Sequence, residues 1–301
     1  MLLDIGSLIA GCGLLFLGGD WLVDGVSGLA RRLKVSPILI AFVLLGFGTS
    51  APELFVAIDA VLSGAPDIAM GNIIGSNIAN LLLVLAVTAV IAPLVIDPET
   101  LRIDGSVMLL SAVALGLVAL DGSVSRLDAV VLIGGTICYL LFRWKSLQDD
   151  DDDDDPVSLG KSAIFALLAL AALPIGANLF VNGASGFALR FGISEAVIGL
   201  TVVALGTSLP EIVVSVVAAL RRECGMVLGG ILGSNVFNGT IVLGGAALFT
   251  PIVVDAVFLT AWIPIMIGAS VLSLVFLRTG HLLSRPEGLI MMAAYCGIFL
   301  R

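Results

Sequence analysis

The sequence predicts an all-α polytopic membrane protein of ten transmembrane helices, arranged as two inverted five-helix repeats. Three observations carry this. The chain has 301 residues, of which 59% are hydrophobic and only 12% charged, about half the charged share of a soluble domain. Its apolar residues fall into ten blocks, at approximately 3–28, 36–62, 68–91, 106–120, 127–142, 163–187, 196–219, 226–249, 256–277 and 287–300, where one bilayer span needs roughly 20 apolar residues. The chain also repeats itself at a fixed offset. This composition excludes a soluble enzyme, a secreted disulfide scaffold and a nucleic-acid module, and it makes the lipid bilayer the surrounding medium. No cofactor and no obligate protein partner is expected.

The first block contains Asp20 and Asp24 and has no basic residues before it, so it reads as a mature helix and not as a cleavable signal. The second holds Gly48-Thr49-Ser50-Ala51-Pro52-Glu53 and the third Gly75-Ser76-Asn77-Ile78-Ala79-Asn80. After the fifth block come seven aspartates, Asp149 to Asp155, which read as a solvated linker or as a weak Ca²⁺ attractor. Without them the net charge of −9 is near −2. The seventh and eighth blocks return the motifs as Gly206-Thr207-Ser208-Leu209-Pro210-Glu211 and Gly233-Ser234-Asn235-Val236-Phe237-Asn238, each 158 residues downstream. The same offset places Gly25-Val26-Ser27-Gly28 on Gly183-Ala184-Ser185-Gly186. The expected organisation is a first repeat at 1–145, a cytoplasmic acidic linker at 146–161 and an inverted repeat at 162–301.

Five helices separate each residue from its copy, so the second half enters the membrane from the opposite side. With the N-terminus outside, Arg31, Arg32, Lys34, Arg102, Arg143, Lys145, Lys161, Arg221, Arg222, Arg278 and Arg285 face the cytoplasm. Only Arg126, Arg190 and Arg301 lie outside. This satisfies the positive-inside rule in a cell membrane with both termini outside. Cys12, Cys138, Cys224 and Cys296 form no CxxC pair and read as small hydrophobes. Asp20, Asp24 and Asp59 either line approach paths or are solvated at helix ends, and His281 has no expected role.

In each half Thr, Ser and Glu sit at i, i+1 and i+4, which places hydroxyl and carboxylate on neighbouring turns. The proline at i+3 has no N–H for the carbonyl of Gly48 or Gly206, so the helix is expected to break there and free backbone oxygens. Taken singly, either hydroxyl reads first as a group that caps or back-bonds its own helix. A carboxylate at membrane depth costs at least roughly 2.5 kcal/mol, and no Lys, Arg or His lies in an apolar block near Glu53 or Glu211. A bound cation is the simplest counter-charge. Ser76 with Asn80, and Ser234 with Asn238, add oxygens at i, i+4, or else serve as helix–helix glue. Together these groups exceed the roughly 6–8 oxygens that Ca²⁺ takes, so several overlapping cation positions are expected. The motifs offer neither nitrogen nor sulfur to suit Zn²⁺ or Cu⁺.

The motifs GTSAPE with GSNIAN, and GTSLPE with GSNVFN, resemble the two α-repeats of the sodium/calcium exchanger family, within the cation/Ca²⁺ antiporter superfamily. The resemblance covers nearly the whole chain and looks prokaryotic in type, since the connection between halves is too short for a regulatory domain. It implies ten helices, with four central sites built from the second, third, seventh and eighth. It implies that Glu53 and Glu211 bind Ca²⁺ and Na⁺, assisted by Thr49, Ser50, Thr207, Ser208, Ser76, Ser234, Asn80 and Asn238 and by the backbone oxygens of Gly46 and Ala204. K⁺-dependent relatives carry Asp where this chain has Asn238. Two formal negative charges balance one Ca²⁺ or two Na⁺, and K⁺ coupling is not expected.

The implied function is secondary antiport of Na⁺ against Ca²⁺ by alternating access, with H⁺/Ca²⁺ exchange as the alternative and no enzymatic activity. An intramembrane aspartyl protease would need a GxGD-type dyad that the chain lacks. A channel fits poorly with an inverted repeat around a midplane site. In relatives the first and sixth helices slide across the core, and here the pairs Gly25/Gly183 and Gly28/Gly186 read as the sliding contacts.

Overall fold

The structure, a computed structural model, describes residues 2–146, 158–192, 206 and 208–299. Among them ten helices follow the ten apolar blocks: α1 Leu2–Leu33, α2 Pro37–Leu62, α3 Pro66–Ile91, α4 Pro98–Ala119 and α5 Arg126–Ser146, then α6 Leu159–Arg190, α7 Leu209–Leu220, α8 Cys224–Phe249, α9 Phe258–Arg278 and α10 Arg285–Phe299. Eight are long and apolar enough to cross a membrane; α7, with 12 residues, is apolar but shorter. The acidic run Asp149–Asp155 lies outside the described residues.

Local chemistry sets the helix starts. Proline occupies the first turn of α2, α3, α4 and α7, where its missing N–H costs nothing. The Ser36 hydroxyl accepts the Ile38 N–H at the head of α2, and Asp97 accepts the backbone N–H and the hydroxyl of Thr100, both at 2.7 Å, at the head of α4. Partial burial pushes the Asp97 carboxyl up, but these bonds outweigh it and hold the group below its usual range. Asp255, 158 residues on, repeats the cap before α9 by accepting the Val257 N–H at 2.8 Å.

Two short clips display the inverted topology. Leu94–Val95 (β1) pairs antiparallel with Leu282–Leu283 (β4), joining the α3–α4 and α9–α10 connections. Ser123–Val124 (β2) pairs with Ile252–Val253 (β3), joining the α4–α5 and α8–α9 connections. Ten crossings put the members of each clip on one side of the membrane. β1 and β3 hold equivalent places in the two halves, 158 residues apart, yet they belong to clips on opposite sides. That exchange is what inversion means in space.

The interior is built around α3 and α8. Every residue of α8 from Met226 to Phe237 is buried, whereas α1, α5 and α6 turn Phe16, Leu141 and Leu167 outward, as lipid-facing helices do. Glycines let backbones meet. A Cβ at Gly46 of α2 would lie 2.7 Å from the carbonyl carbon of Gly233, and one at Gly229 would lie 2.5 Å from the carbonyl oxygen of Ile38, so α2 and α8 are in main-chain contact.

For three of the four matched glycines the packing shows something other than the expected sliding contact. Gly25 faces Ala166 of α6, and Gly183 faces Asp4 and Leu8 of α1; at either glycine a Cβ would lie under 3 Å from backbone atoms of the other helix. Gly186 also faces Asp4. These glycines join the two long helices to each other. A glycine that α1 turns to the core is Gly19, whose Cβ position is 3.3 Å from Val213 and Val217 of α7.

The proline expectation holds in one half only. Helix α2 continues through Pro52 without interruption, because a proline removes one main-chain bond while the turns on either side keep theirs. In the second half Ser208, two residues before Pro210, is non-helical, and α7 starts at Leu209.

Charges inside the bundle are paired away from the motifs. Arg143 of α5, 1% exposed, holds Asp104 of α4 through two contacts of 2.8 and 2.9 Å, and Tyr139 donates to the same carboxylate. Asp20 and Asp24, with side chains 36% and 49% exposed, both pair with Arg221 at the end of α7. Breaking a buried pair strands its survivor and costs about 3–5 kcal/mol. We therefore expect Asp104→Ala to lower the thermal unfolding midpoint of the detergent-solubilised protein sharply, while Asp24→Ala, in a half-exposed pair, changes it little.

Candidate cation site

The four motifs converge inside the bundle. Glu53 on α2 is 1% exposed and Glu211, in the first turn of α7, is 6% exposed. The hydroxyl of Ser76 on α3 lies beside the Glu53 carboxylate, and that of Thr49 on α2 lies beside Glu211. Thr49 Oγ1 donates to the Leu45 carbonyl at 2.6 Å, which leaves Ser234 of α8 to donate to Thr49 at 3.2 Å. The Glu53 carbonyl accepts from Asn72 Nδ2 at 3.2 Å. The rings of Phe47 and Phe42 pack edge-on or tilted on Phe237, at 5.8 and 6.0 Å between centroids, one residue before Asn238.

Among the described residues no ion pair involves Glu53 or Glu211. Six buried oxygens from the motif segments have no hydrogen-bond partner: Ser50 Oγ, Glu53 Oε2, Asn77 Oδ1, Asn80 Oδ1, Glu211 Oε2 and Asn238 Oδ1. Each unmet buried acceptor costs about 1–3 kcal/mol, and more when charged. Such a set, all hard oxygen donors drawn from both halves, has the chemistry of a site for Ca²⁺ or Na⁺.

Of the residues expected from sequence, Ser208 is buried directly before α7, and Gly46 packs on Gly233 and Ser234. Thr207 and Ala204 lie outside the described residues. A cavity of about 710 Å³ opens between the head of α2, the α3–α4 connection and the α7–α8 turn, lined by Ile38, Asp97, Arg222 and Glu223 among others; no candidate ligand lines it.

Two features escaped the sequence reading. The chain forms π-helical turns at Asn80–Val84 and Asn238–Val242, each starting at a candidate ligand. A π turn inserts one extra residue and re-aims the side chains around it, and such turns concentrate at functional sites. Asn77 and Asn235 are also central: Asn77 Nδ2 donates to the Asn235 carbonyl and Asn80 Nδ2 donates to Asn235 Oδ1, both at 3.3 Å. The repeated Gly-Ser-Asn triplet was the available signal for this pair.

An inverted ten-helix bundle with two carboxylates buried among unpartnered oxygens at its centre defines a membrane cation transporter. The profile of the family described as sodium/calcium exchanger protein matches residues 3–145 and 161–300, and the chain belongs to that family. It is similar to the sodium/calcium exchanger MaX1 of Methanosarcina acetivorans, with 33% identity over 98% of this chain and 97% of the relative. It is also similar to the inner membrane protein YrbG of Escherichia coli, with 36% identity over 85% and 82% of the two chains. A solved structure of the sodium-calcium exchanger NCX_Mj, soaked with zero Na⁺ and Ca²⁺, superposes with a TM-score of 0.89 at 34% identity, covering 100% of this chain and 99% of that one. The protein is thus a multi-pass membrane protein of a cation/Ca²⁺ antiporter family, a family of transporters and not of enzymes. The connection between the two matched segments has no room for a regulatory domain.

Proposed function

We propose that this protein exchanges Na⁺ for Ca²⁺ across a cell membrane by alternating access, with both ions competing for one site between Glu53 and Glu211. The observation that carries this reading is the set of buried, unpartnered oxygens contributed by both halves. Glu53 and Glu211 neutralise the ion, and Ser50, Asn80 and Asn238 complete its shell. Thr49, Ser76 and Ser234 add hydroxyl oxygens around it. Ser208, Thr207 and the carbonyls of Gly46 and Ala204 belong to the same set by position in the motifs. The proposed organisation is a repeat at 1–145, a cytoplasmic acidic linker at 146–161 and an inverted repeat at 162–301, with both termini outside. It is supported by the basic-residue bias of the connections and by the two segments of the family match.

Relatives named as sodium/calcium exchangers support Na⁺ as the coupling ion. Carboxylates that bind cations also bind protons, so the second reading is H⁺/Ca²⁺ exchange. Ion replacement in reconstituted vesicles separates them. Ca²⁺ uptake driven by an outward Na⁺ gradient at equal pH is the expected result; uptake driven by a pH gradient alone, with none from Na⁺, would establish the proton-coupled alternative.

Charge counting makes a further prediction. Two carboxylates balance one Ca²⁺ or two Na⁺, so Asn238→Asp adds a third charge at an oxygen that now has no partner. We expect this variant to fold and to alter the Na⁺ or K⁺ dependence of Ca²⁺ uptake. Unchanged ion selectivity would remove Asn238 from the ligand set.

A further inference from the structure

Asn77 on α3 and Asn235 on α8 occupy equivalent places in the two halves, and each amide nitrogen reaches a methionine sulfur of the opposite half. Asn77 Nδ2 lies 3.6 Å from Met266 Sδ on α9, and Asn235 Nδ2 lies 3.7 Å from Met108 Sδ on α4. Met108 and Met266 are themselves 158 residues apart, and they are 1% and 0% exposed. The contact is therefore duplicated by the repeat, in the layer behind the candidate ligands.

A thioether sulfur accepts a hydrogen bond and cannot donate one. An amide turned oxygen-first to that sulfur would set two electron-rich atoms against each other in a buried space, so the sulfur selects the orientation with the NH₂ facing it. The position of the amide oxygen follows. Asn235 Oδ1 then accepts from Asn80 Nδ2 at 3.3 Å. With its nitrogen so engaged, Asn80 turns its Oδ1 away from Asn235, where it is buried and unpartnered. Asn77 shares its nitrogen between Met266 and the Asn235 carbonyl, and its Oδ1 is likewise left open. The difference matters at a cation site. An amide presents partial negative charge through oxygen and partial positive charge through nitrogen, so a flipped Asn repels the ion that it otherwise binds.

We propose that Met108 and Met266 are positioning residues: acceptor-only anchors that set the polarity of the Asn235–Asn80 relay and of Asn77, so that oxygens face the transported cation. The proposal rests on the reading of Asn80 as a ligand. It assigns the methionines no contact with the ion. Partners that orient metal ligands typically change affinity by about 10–100-fold when removed, and the thioether, a weak acceptor, belongs at the lower end.

The test is a double-mutant cycle on the purified full chain, read by equilibrium binding of radiolabelled Ca²⁺ and by thermal unfolding without added cations. Met108→Leu conserves volume and removes the acceptor. Expected is a Ca²⁺ Kd raised roughly tenfold with an unchanged unfolding midpoint, and no further rise when the same substitution is made in an Asn80→Ala background. An equal rise in both backgrounds would overturn the proposal, because the methionine would then act through packing. So would an unchanged Kd for Met108→Leu where Asn80→Ala weakens binding. If Asn80→Ala itself binds Ca²⁺ as the wild type does, the ligand reading of Asn80 fails, and the relay fails with it.

Discussion

Replacing either Glu53 or Glu211 by Gln is expected to abolish Ca²⁺ transport while the protein still folds. Gln keeps the shape and one oxygen of Glu but removes the charge, so a divalent ion at the site is left one charge short. An uncompensated charge at membrane depth costs about 2.5–3.5 kcal/mol on the insertion scale, and each 1.4 kcal/mol is a factor of about ten. Ca²⁺ should therefore bind roughly 60- to 300-fold more weakly in either variant. Folding should survive, because among the described residues neither carboxylate is held in an ion pair that the substitution would break. Flux and Ca²⁺ binding in reconstituted vesicles measure this directly. Near-normal transport in either variant would show that the two carboxylates do not share one ion.

Gly183→Leu is expected to slow turnover roughly 10- to 100-fold while leaving equilibrium Ca²⁺ binding close to wild type. A Cβ at Gly183 would sit 2.6 Å from the Asp4 carbonyl oxygen and 2.7 Å from the Leu8 amide nitrogen. Both are main-chain atoms of a helix and cannot rotate aside, so α1 and α6 must separate. Forced separation of a packed seam costs about 1–3 kcal/mol, which spans that range of rates if the seam must stay closed during the exchange step. Neither helix carries a candidate ligand, so the site itself is spared. Gly25→Leu, against the Ala166 nitrogen at 2.7 Å, should behave alike. The observed packing changes the meaning of this experiment: the glycines bind α1 and α6 into one unit, so the result reports whether that unit moves as a whole. If binding falls in step with turnover, the seam supports the site and the moving-unit reading is lost.

The sequence by itself determined the class, the helix count, the inversion and the pair of acids. Those follow from local or periodic properties: apolar block length, a constant offset of 158 residues and the cost of a carboxylate far from water. It also brought Thr49, Ser76, Ser234, Asn80 and Asn238 forward, because hydroxyl and amide groups at i, i+4 spacing share a helix face. What Pro52 does was not legible. A proline's missing N–H is a local fact, but whether the helix stops or carries on depends on its neighbours, and α2 carries on. The direction in which Gly25 and Gly183 face was not legible either, since a glycine has no side chain to reveal a partner and only the crossing of α1 with α6 decides it. The π turns at Asn80 and Asn238 are tertiary in origin: an extra residue is accommodated where packing on the facing helix rewards it, and no residue type announces that. Last, the sequence could supply amides and thioethers but not their orientation. Which end of an Asn meets a cation is set by what stands behind it, and Met108 stands behind Asn235 only because the inverted halves interlock, bringing α4 of one half against α8 of the other.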